Sequence, residues 1–380
     1  MNWIALRMLT GDTVKYIGMI FGVAFSTLLI TPQSSIFLGL VSRAATTVVD
    51  VRDANVWVMD PRIESVDNVW PMPATALQRV RGIDGVAWAA PFLRSTTTIV
   101  APDLPLQTAS LFGLDDASLV GLPTTMIAGR RADLAAPGTV MMDEGGWQFL
   151  FPGETFTPGK VVELNDRRAV VVGLVKAGVQ FNSQVSLYAR YSTALNYAPG
   201  GRNRLSFIIA MAEKGYSPAQ VARNIETATG LKSLDSKAFA KASSDYVIYN
   251  TGIPVSFGTV VLLGVIVGIV IVALTFTLFV RDNIKQFGAL KAIGVTNWRL
   301  IGMVALQGAL VGAIGYAIGL GMAAMIIHGG AQNAPALRGF FMPWQVAAIA
   351  AGVVAVIITI AGFGALRRVL NTDPASVFRG

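Results

Sequence analysis

Four long apolar segments constrain this chain more than any other feature. They cover residues 16–41, 256–280, 300–327 and 344–366. The hydrocarbon core of a bilayer is ~30 Å thick, so a helix that crosses it needs about 20 mostly apolar residues. All four segments meet that length, and only 14% of the residues are charged. The sequence therefore predicts a polytopic membrane protein with four transmembrane helices.

The first of these segments is the least regular, because it contains the polar stretch from Thr31 to Ser35. Pro32 within that stretch cannot donate a backbone hydrogen bond, which predicts a kink. A cleaved signal peptide is the competing interpretation, but its apolar region is typically only about 7 to 15 residues long. We therefore interpret residues 16–41 as a membrane anchor.

The distribution of lysine and arginine predicts the side of the membrane on which each connecting segment lies. Residues 1–15, 281–299 and 367–380 together hold nine cations and three anions, whereas residues 42–255 hold 20 cations and 19 anions. Because cytoplasmic segments carry an excess of Lys and Arg, the first three are predicted to be cytoplasmic and the large loop to lie outside. Residues 328–343 then form a short outer loop. The net charge of +8 is explained by this bias and does not indicate a nucleic-acid partner.

The large loop is predicted to form an α+β domain of its own, since roughly 200 residues are enough for a separate core. Short strand patterns occur at residues 55–60, 110–115 and 139–144. A longer pattern at residues 161–175 predicts a hairpin that turns at Asn165 and Asp166.

One helix in this domain has sequence signals at both ends. Ser217 is a preferred N-cap residue, Pro218 suits the first helical position, and Gln220 completes a capping box. Gly230 marks the end of the helix, since glycine readily adopts the left-handed conformation. The inward-facing positions are predicted to be Val221, Ala222 and Ile225.

The chain lacks the residue patterns of common catalytic and metal sites. It has no cysteine and a single histidine, His328, which excludes thiolate chemistry and zinc motifs with two histidines. Neither a Walker A loop nor a G-x-S-x-G motif is present. His328 lies near Met322, Met325 and Met342, a set that could ligate haem, but an interfacial polar residue is the favoured interpretation. We predict no catalytic residue, no metal site and no cofactor in this chain.

The connection between the second and third apolar segments is longer than a helical hairpin requires. It contains the stretch QFGALKAIGVTNWRL, residues 286–300. If the second helix continues to Ile293, Gly294 fits the left-handed C′ position and Thr296 can cap the next helix. The sequence thus predicts a helix that protrudes from the membrane, followed by a tight turn.

This protruding helix is predicted to have an apolar face. At about 100° per residue, Phe287, Leu290 and Ile293 share one face with Gln286. The opposite face is predicted to carry Arg281, Lys285 and Gly288, with Lys291 at the border. An apolar stripe outside the membrane needs a cover, which is either a partner protein or the chain's own N-terminal helix with Trp3, Ile4, Leu6 and Leu9. The residues alone leave both alternatives open.

Four glycines on the third apolar segment predict close helix packing. They are Gly308, Gly312, Gly315 and Gly319. Two small-xxx-small pairs let another helix approach closely in lipid, either within the chain or in a second copy of it. Glycine is common in membrane helices in general, but two spaced pairs on one segment favour packing.

The cytoplasmic stretch resembles a recurrent motif of the MacB/FtsX superfamily of ABC transporter permeases. The usual motif is close to E-I-G-x-L-[KR]-A-[IL]-G-[AV]-[ST], and residues 286–296 read QFGALKAIGVT, with Gln286 in place of the usual Glu. The stretches GVAWAAP at residues 85–91 and RAVVVGLV at residues 168–175 are similar to phrases of the MacB-like periplasmic core domain. The order of spans and the Asp373-Pro374 motif in the tail also resemble this superfamily, above all its stand-alone DevC and HrtB type.

The resemblance implies a permease that exports a substrate as a homodimer with two copies of an ABC ATPase, which binds ATP and Mg²⁺. Because the sequence begins at the helix that leads into the membrane, the ATPase is expected on a separate polypeptide. The residues implied for ATPase coupling are Lys285, Gln286, Phe287, Gly288, Leu290, Lys291, Ile293 and Gly294. The apolar members are expected in a groove of the ATPase, and the lysines near acidic groups at its rim. In the family, ATP binding and hydrolysis move the outer domains, a mechanism called mechanotransmission.

Further partners implied by the resemblance are a membrane fusion protein, an outer-membrane channel and membrane lipid, and the implied location is the bacterial inner membrane. An FtsX-like regulator of extracytoplasmic enzymes and a LolC-like lipoprotein-release permease remain alternatives, and a membrane-anchored enzyme is the least favoured. The size of the outer domain favours the MacB type. No residue pattern selects a substrate.

Overall fold

The computed structural model describes residues 2–100, 105–199, 205–333 and 337–370. These residues form two compact units. The helical unit comprises the chain up to Leu38 and from Gly252 onward, and the α+β unit comprises Gly39–Thr251. The tail from residue 371, with its Asp373-Pro374 motif, lies outside the described residues.

The described residues form helices and strands with the following bounds. The helices are α1 (Asn2–Gly11), α2 (Thr13–Arg43), α3 (Thr46–Asp50), α4 (Ala76–Arg81), α5 (Glu144–Leu150), α6 (Tyr191–Tyr197), α7 (Pro218–Thr229), α8 (Ser236–Asn250), α9 (Ile253–Asp282), α10 (Ile284–Ala292), α11 (Asn297–Asn333) and α12 (Trp344–Leu370). The strands are β1 (Val56–Met59), β2 (Val86–Val100), β3 (Gln107–Leu114), β4 (Met126–Ala128), β5 (Thr139–Asp143), β6 (Lys160–Leu164), β7 (Arg167–Val175), β8 (Val185–Arg190), β9 (Phe207–Ala212) and β10 (Lys232–Asp235). One short 3₁₀ helix covers Arg131–Ala135.

Four helices among the described residues are long and apolar enough to cross a membrane, namely α2, α9, α11 and α12. They confirm the four predicted spans. α2 continues through Pro32, and the polar side chains of Thr31 and Ser35 are fully buried. Both side chains therefore face protein and not lipid, as polar residues of spanning helices usually do.

The helical unit has a single apolar core built from α1, α2 and the helices after residue 252. Val272, Phe276, Val304 and Ile357 are among its buried members. Polar contacts also join the helices of this unit. Ser26 Oγ on α2 donates to the Gly264 carbonyl of α9 at 2.9 Å, and Tyr316 on α11 donates to the Ala347 carbonyl of α12 at 2.9 Å.

The α+β unit is built on a mixed sheet with the strand order β10-β1-β9-β2-β3-β8-β5-β7-β4, and β6 pairs with β2 and β7. The long strand β2 joins its two halves, because its first part pairs with β9 and its second part with β3. The pairs β3–β8 and β5–β7 are parallel, and the other pairs are antiparallel. This arrangement confirms the predicted α+β class.

The local signals in this unit correspond closely to the structure. The three short strand patterns become β1, β3 and β5, and the hairpin β6–β7 turns at Asn165 and Asp166, which have φ values of 47° and 60°. In α7, Ser217 Oγ accepts the Gln220 N–H at 3.2 Å, and Gly230 has a left-handed φ of 69°. Val221, Ala222 and Ile225 are the buried residues of α7, as predicted.

Two hydrogen bonds hold α3 against the connection between β7 and β8. Thr47 Oγ1 donates to Gln180 Oε1 at 2.7 Å, and the Gly178 N–H donates to Asp50 Oδ2 at 3.0 Å. A Cβ atom on residue 178 would lie 2.6 Å from Thr46 Cγ2, so the close approach requires glycine there.

The Asp50 carboxyl is a titratable group at this contact. Burial is the main cause that raises its pKa from 3.8 to about 6, the Asp143 carboxylate acts in the same direction, and the Gly178 N–H and Arg52 act in the opposite direction. The folded protein therefore holds this proton more tightly than the unfolded chain does. For this group, stability falls as the pH rises from about 4 to about 6 and is constant above that range.

Asp50→Asn is expected to stabilise the α+β unit above pH 6 by about 1–3 kcal/mol, because the amide stays uncharged and can still accept the Gly178 hydrogen bond. The gain should shrink towards pH 4. Thermal unfolding of the whole chain in detergent between pH 4 and pH 8 measures it, with the exposed Asp84→Asn as control. A difference that does not vary with pH would contradict the shifted pKa of Asp50.

Candidate functional site

The candidate site is the end of the helical unit formed by α1, α10 and the turn into α11, which we call the basal end. The sequence allows the second spanning helix to continue to Ile293, but in the structure this helix is interrupted at one residue. α9 ends at Asp282, and α10 begins at Ile284. At the interruption, the Asn283 side-chain amide donates to the Phe279 carbonyl at 2.8 Å, and the Asn283 backbone N–H donates to the same carbonyl at 3.1 Å.

The turn after α10 is closed by Gly294. Its φ of 89° is left-handed, its N–H donates to the Lys291 carbonyl, and the Val295 N–H donates to the Leu290 carbonyl. These two bonds define a Schellman motif with glycine at C′, which confirms the predicted position of Gly294. Thr296 immediately precedes α11, and its carbonyl accepts the Leu300 N–H. The turn thus fixes the direction in which α11 leaves α10.

The predicted apolar face of α10 is divided in the structure. Phe287 is only 1% exposed and packs in the core cluster with Ala5, Leu9 and Phe279. The prediction that Phe287 enters a groove of a partner protein is therefore wrong, because this side chain is already buried in a cluster of the chain's own residues. Leu290 is partly buried against the same cluster. Gly288, predicted on the exposed face, is buried as well.

Large apolar side chains of α10 and of the start of α11 are exposed at the basal end. Ile293 is 79% exposed at the end of α10, and Trp298 is 80% exposed near the start of α11. Lys285 and Gln286 are also exposed, and Lys291 is half-buried. Trp298 is absent from the predicted coupling residues, although its position between polar neighbours, Asn297 and Arg299, signals exposure.

An ion pair connects the helices that meet at the basal end. Lys15 Nζ on α2 lies 2.6 Å from Asp282 Oδ2 at the end of α9 and also contacts Asp12. On α11, Gln307 is fully buried, and its side-chain amide donates to the Ala5 carbonyl of α1 at 2.8 Å. These two contacts join α2 to α9 and α11 to α1 at the end of the helical unit where α10 lies. Sequence analysis missed Lys15 and Asp282 because they are far apart in the chain.

The four glycines of α11 pack against helices of the same chain. Gly308 and Gly312 face Ile358 on α12, whereas Gly315 and Gly319 face Val23, Ala24 and Thr27 on α2. A Cβ on residue 319 would lie 2.5 Å from the Ala24 carbonyl oxygen. The predicted close packing is present, and both pairs are used within the chain. The alternative role of these glycines, in contact with a second copy of the chain, stays a prediction.

His328 lies on α11 with an exposed side chain, and Met322 and Met325 on the same helix are also exposed. In the part of the chain that the structure describes, no group of three His, Asp or Glu side chains is positioned to hold a metal ion.

The fold defines a multi-pass membrane protein whose α+β unit is inserted between the first and second spanning helices. The model of the MacB-like periplasmic core domain matches residues 16–228, and the model of the FtsX-like permease C-terminal domain matches residues 258–374. The chain therefore belongs to the MacB/FtsX superfamily of ABC transporter permeases. No curated protein sequence matches it significantly.

Several solved structures are similar to the α+β unit at low identity. The extracellular domain of the noncanonic ABC-type transporter YknZ from Gram-positive bacteria shares 18% identity, with 48% of this chain and 98% of that chain covered and a TM-score of 0.36. The periplasmic region of MacB from Actinobacillus actinomycetemcomitans shares 19%, with 53% and 97% covered and a TM-score of 0.38. A domain of a putative permease from Porphyromonas gingivalis shares 15%, with 48% and 89% covered and a TM-score of 0.31. The family assignment rests on the two family models and not on these similarities.

Proposed function

We propose that this permease exports a substrate with energy from a separate ABC ATPase subunit that docks on its basal end. The observation that carries the proposal is the exposure of Ile293, in a segment that lies between two candidate spans and outside both of them. Large apolar side chains exposed to water at such a place favour a protein partner. Trp298 and Ile293 would be the apolar contacts, and Lys285 with Lys291 would approach acidic groups of the partner.

The basal end faces the cytoplasm in this proposal. The cations concentrated at residues 1–15 and 281–299 support that orientation, because Lys and Arg accumulate on the cytoplasmic side of bacterial membrane proteins. The α+β unit then lies outside the cytoplasmic membrane, with both chain termini inside. ATP and Mg²⁺ would bind to the partner subunit.

The mechanism we propose is mechanical. Phe287 anchors α10 in the core cluster that contains Leu9 and Phe279. A displacement of α10 by the partner would therefore be passed on to the rest of the helical unit. The Lys15–Asp282 ion pair connects the junction of α9 and α10 to α2. Since α2 and α9 flank the α+β unit in the chain, tilting of these two helices would move that unit. Two permeases and two ATPase subunits, with a membrane fusion protein and an outer-membrane channel, would form the full exporter.

The proposal can be tested at Gly294. Proline at this position cannot adopt a φ of 89° and cannot donate to the Lys291 carbonyl, so the turn must rearrange. Gly294→Pro is expected to reduce the ATP hydrolysis that the permease stimulates in its ATPase at least about fivefold in nanodiscs. Gly294→Asn is the matched control, because asparagine tolerates the left-handed conformation better than other residues with a side chain, and it should retain most of the stimulation. Unchanged hydrolysis with Gly294→Pro, in a preparation that contains both subunits, would contradict docking at the basal end.

A further inference from the structure

A cavity of about 560 Å³ opens at the basal end between α1, the start of α2 and the junction of α9 with α10. Its wall includes Trp3, Arg7, Asp12, Asp282 and Gln286. None of these residues packs in the apolar core of the helical unit. The cavity therefore combines fixed charges with hydrogen-bonding groups at one end of a spanning helix.

The charges around this cavity are arranged in two separate parts. Arg7 lies on α1, where its guanidinium is 5.3 Å from the centre of the Trp3 ring, and no carboxylate of the described residues pairs with it. Asp12 and Asp282 share Lys15. Both oxygens of Asp12 accept hydrogen bonds from Lys15, whereas Asp282 uses Oδ2 for Lys15 and its Oδ1 accepts no hydrogen bond from the described residues. Asp282 is 55% exposed, so this oxygen can receive an outside donor.

This arrangement of charges determines which kind of charged ligand can bind in the cavity. A purely anionic ligand would be attracted by Arg7 but repelled by Asp282. A purely cationic ligand would be attracted by Asp282 but repelled by Arg7. A molecule with one anionic and one cationic group satisfies both parts. Exposed Gln286 adds an amide that can donate and accept.

The surroundings of the cavity are apolar. Trp3 is 69% exposed on α1, and tryptophan is enriched where a membrane meets water. Thr13, in the cavity wall, is the first residue of α2, and Val14, Ile17 and Phe21 follow it as exposed side chains. Their spacing of three and four residues places them on one face of a spanning helix. An acyl chain can lie along this face while its headgroup occupies the cavity.

We propose that this cavity binds the headgroup of a zwitterionic phospholipid with a primary ammonium, of the phosphatidylethanolamine type. The phosphate pairs with Arg7, and the ammonium donates to Asp282 Oδ1. A primary ammonium is required because the quaternary ammonium of choline has no N–H to donate. The bound lipid would fill the space between α1 and the α9–α10 junction and so support the position of α10.

The test is native mass spectrometry of the whole chain after titration with dioleoyl phosphatidylethanolamine, phosphatidylcholine or phosphatidylglycerol. The unmodified chain should retain the ethanolamine lipid about five to ten times more than either of the others. Asp282→Asn should abolish the preference for ethanolamine over choline, and Arg7→Gln should lower retention of the ethanolamine lipid. Arg281→Gln is the matched control, since Arg281 does not line the cavity.

Lys15→Met separates headgroup binding from a purely structural effect of Asp282. This variant removes the ion pair with Asp282 but leaves the carboxylate in the cavity, so the ethanolamine preference should persist or increase. Equal retention of the three lipids by the unmodified chain would overturn the proposal. A preference for the ethanolamine lipid that persists in Asp282→Asn would also overturn it. The same holds if Lys15→Met abolishes this preference as fully as Asp282→Asn does.

Discussion

Ile293→Asp is expected to weaken binding of the ATPase subunit at least about tenfold while leaving the permease folded. The physical reason is that an apolar contact buried by the partner is replaced by a carboxylate that must lose its water. Folding should be unaffected because Ile293 is 79% exposed and outside the core cluster. Binding of the purified ATPase to permease in nanodiscs measures the change.

The control for this substitution is Ile293→Leu, which keeps the side chain apolar and should bind the ATPase normally. Phe287→Asp provides the contrast, since a charge in the core cluster is expected to prevent folding and thus to lower the yield of folded permease. If Ile293→Asp binds as tightly as the unmodified protein, the ATPase does not use the end of α10.

Gly319→Val is expected to disrupt the packing of α11 on α2 and to destabilise the helical unit by about 1–3 kcal/mol or more. The Cβ atom of a residue at position 319 would by itself lie 2.5 Å from the Ala24 carbonyl oxygen and 2.6 Å from Thr27 Cβ. Backbone cannot move aside as a flexible side chain can, so the two helices must separate. Thermal unfolding in detergent and the yield of folded protein measure the effect.

The matched control for Gly319 lies on the same helix. A Cβ at Gly321 would meet nothing within 4 Å, so Gly321→Val changes helix propensity equally but creates no clash. Gly312→Ala is expected to be intermediate, because only the end of the Ile358 side chain must move. Equal melting temperatures for Gly319→Val and Gly321→Val would contradict the close packing of α2 and α11.

Local chemistry predicted much of this fold. The ends of α7 follow from Ser217 and Gly230, because a cap hydrogen bond and a left-handed glycine depend only on residues a few positions apart. The turn at Asn165 and Asp166 is local in the same way. The four spans follow from the length of each apolar segment. None of these features required knowledge of which elements lie side by side.

The errors at the candidate site have a common physical origin. Helical periodicity places Phe287 and Ile293 on one face, but it does not say that Phe287 is buried in the core cluster while Ile293 stays exposed. The break at Asn283, where the side-chain amide and the backbone N–H donate to one carbonyl, is not visible in an apolar pattern. Lys15 and Asp282 meet only because α2 and α9 are neighbours. Tertiary contacts therefore decided which residues of the motif remain available to a partner.

In the proposed mechanism, ATP binding by a separate subunit moves the α+β unit of the permease. The chain has no cysteine, so Val161→Cys introduces a single attachment site, and its side chain is 49% exposed on β6. In a dimer, spin labels at the two copies of residue 161 give one distance by electron paramagnetic resonance. We predict that this distance changes when ATP and Mg²⁺ are added to permease reconstituted with its ATPase. The same distance with and without ATP, in a sample that hydrolyses ATP, would contradict the account.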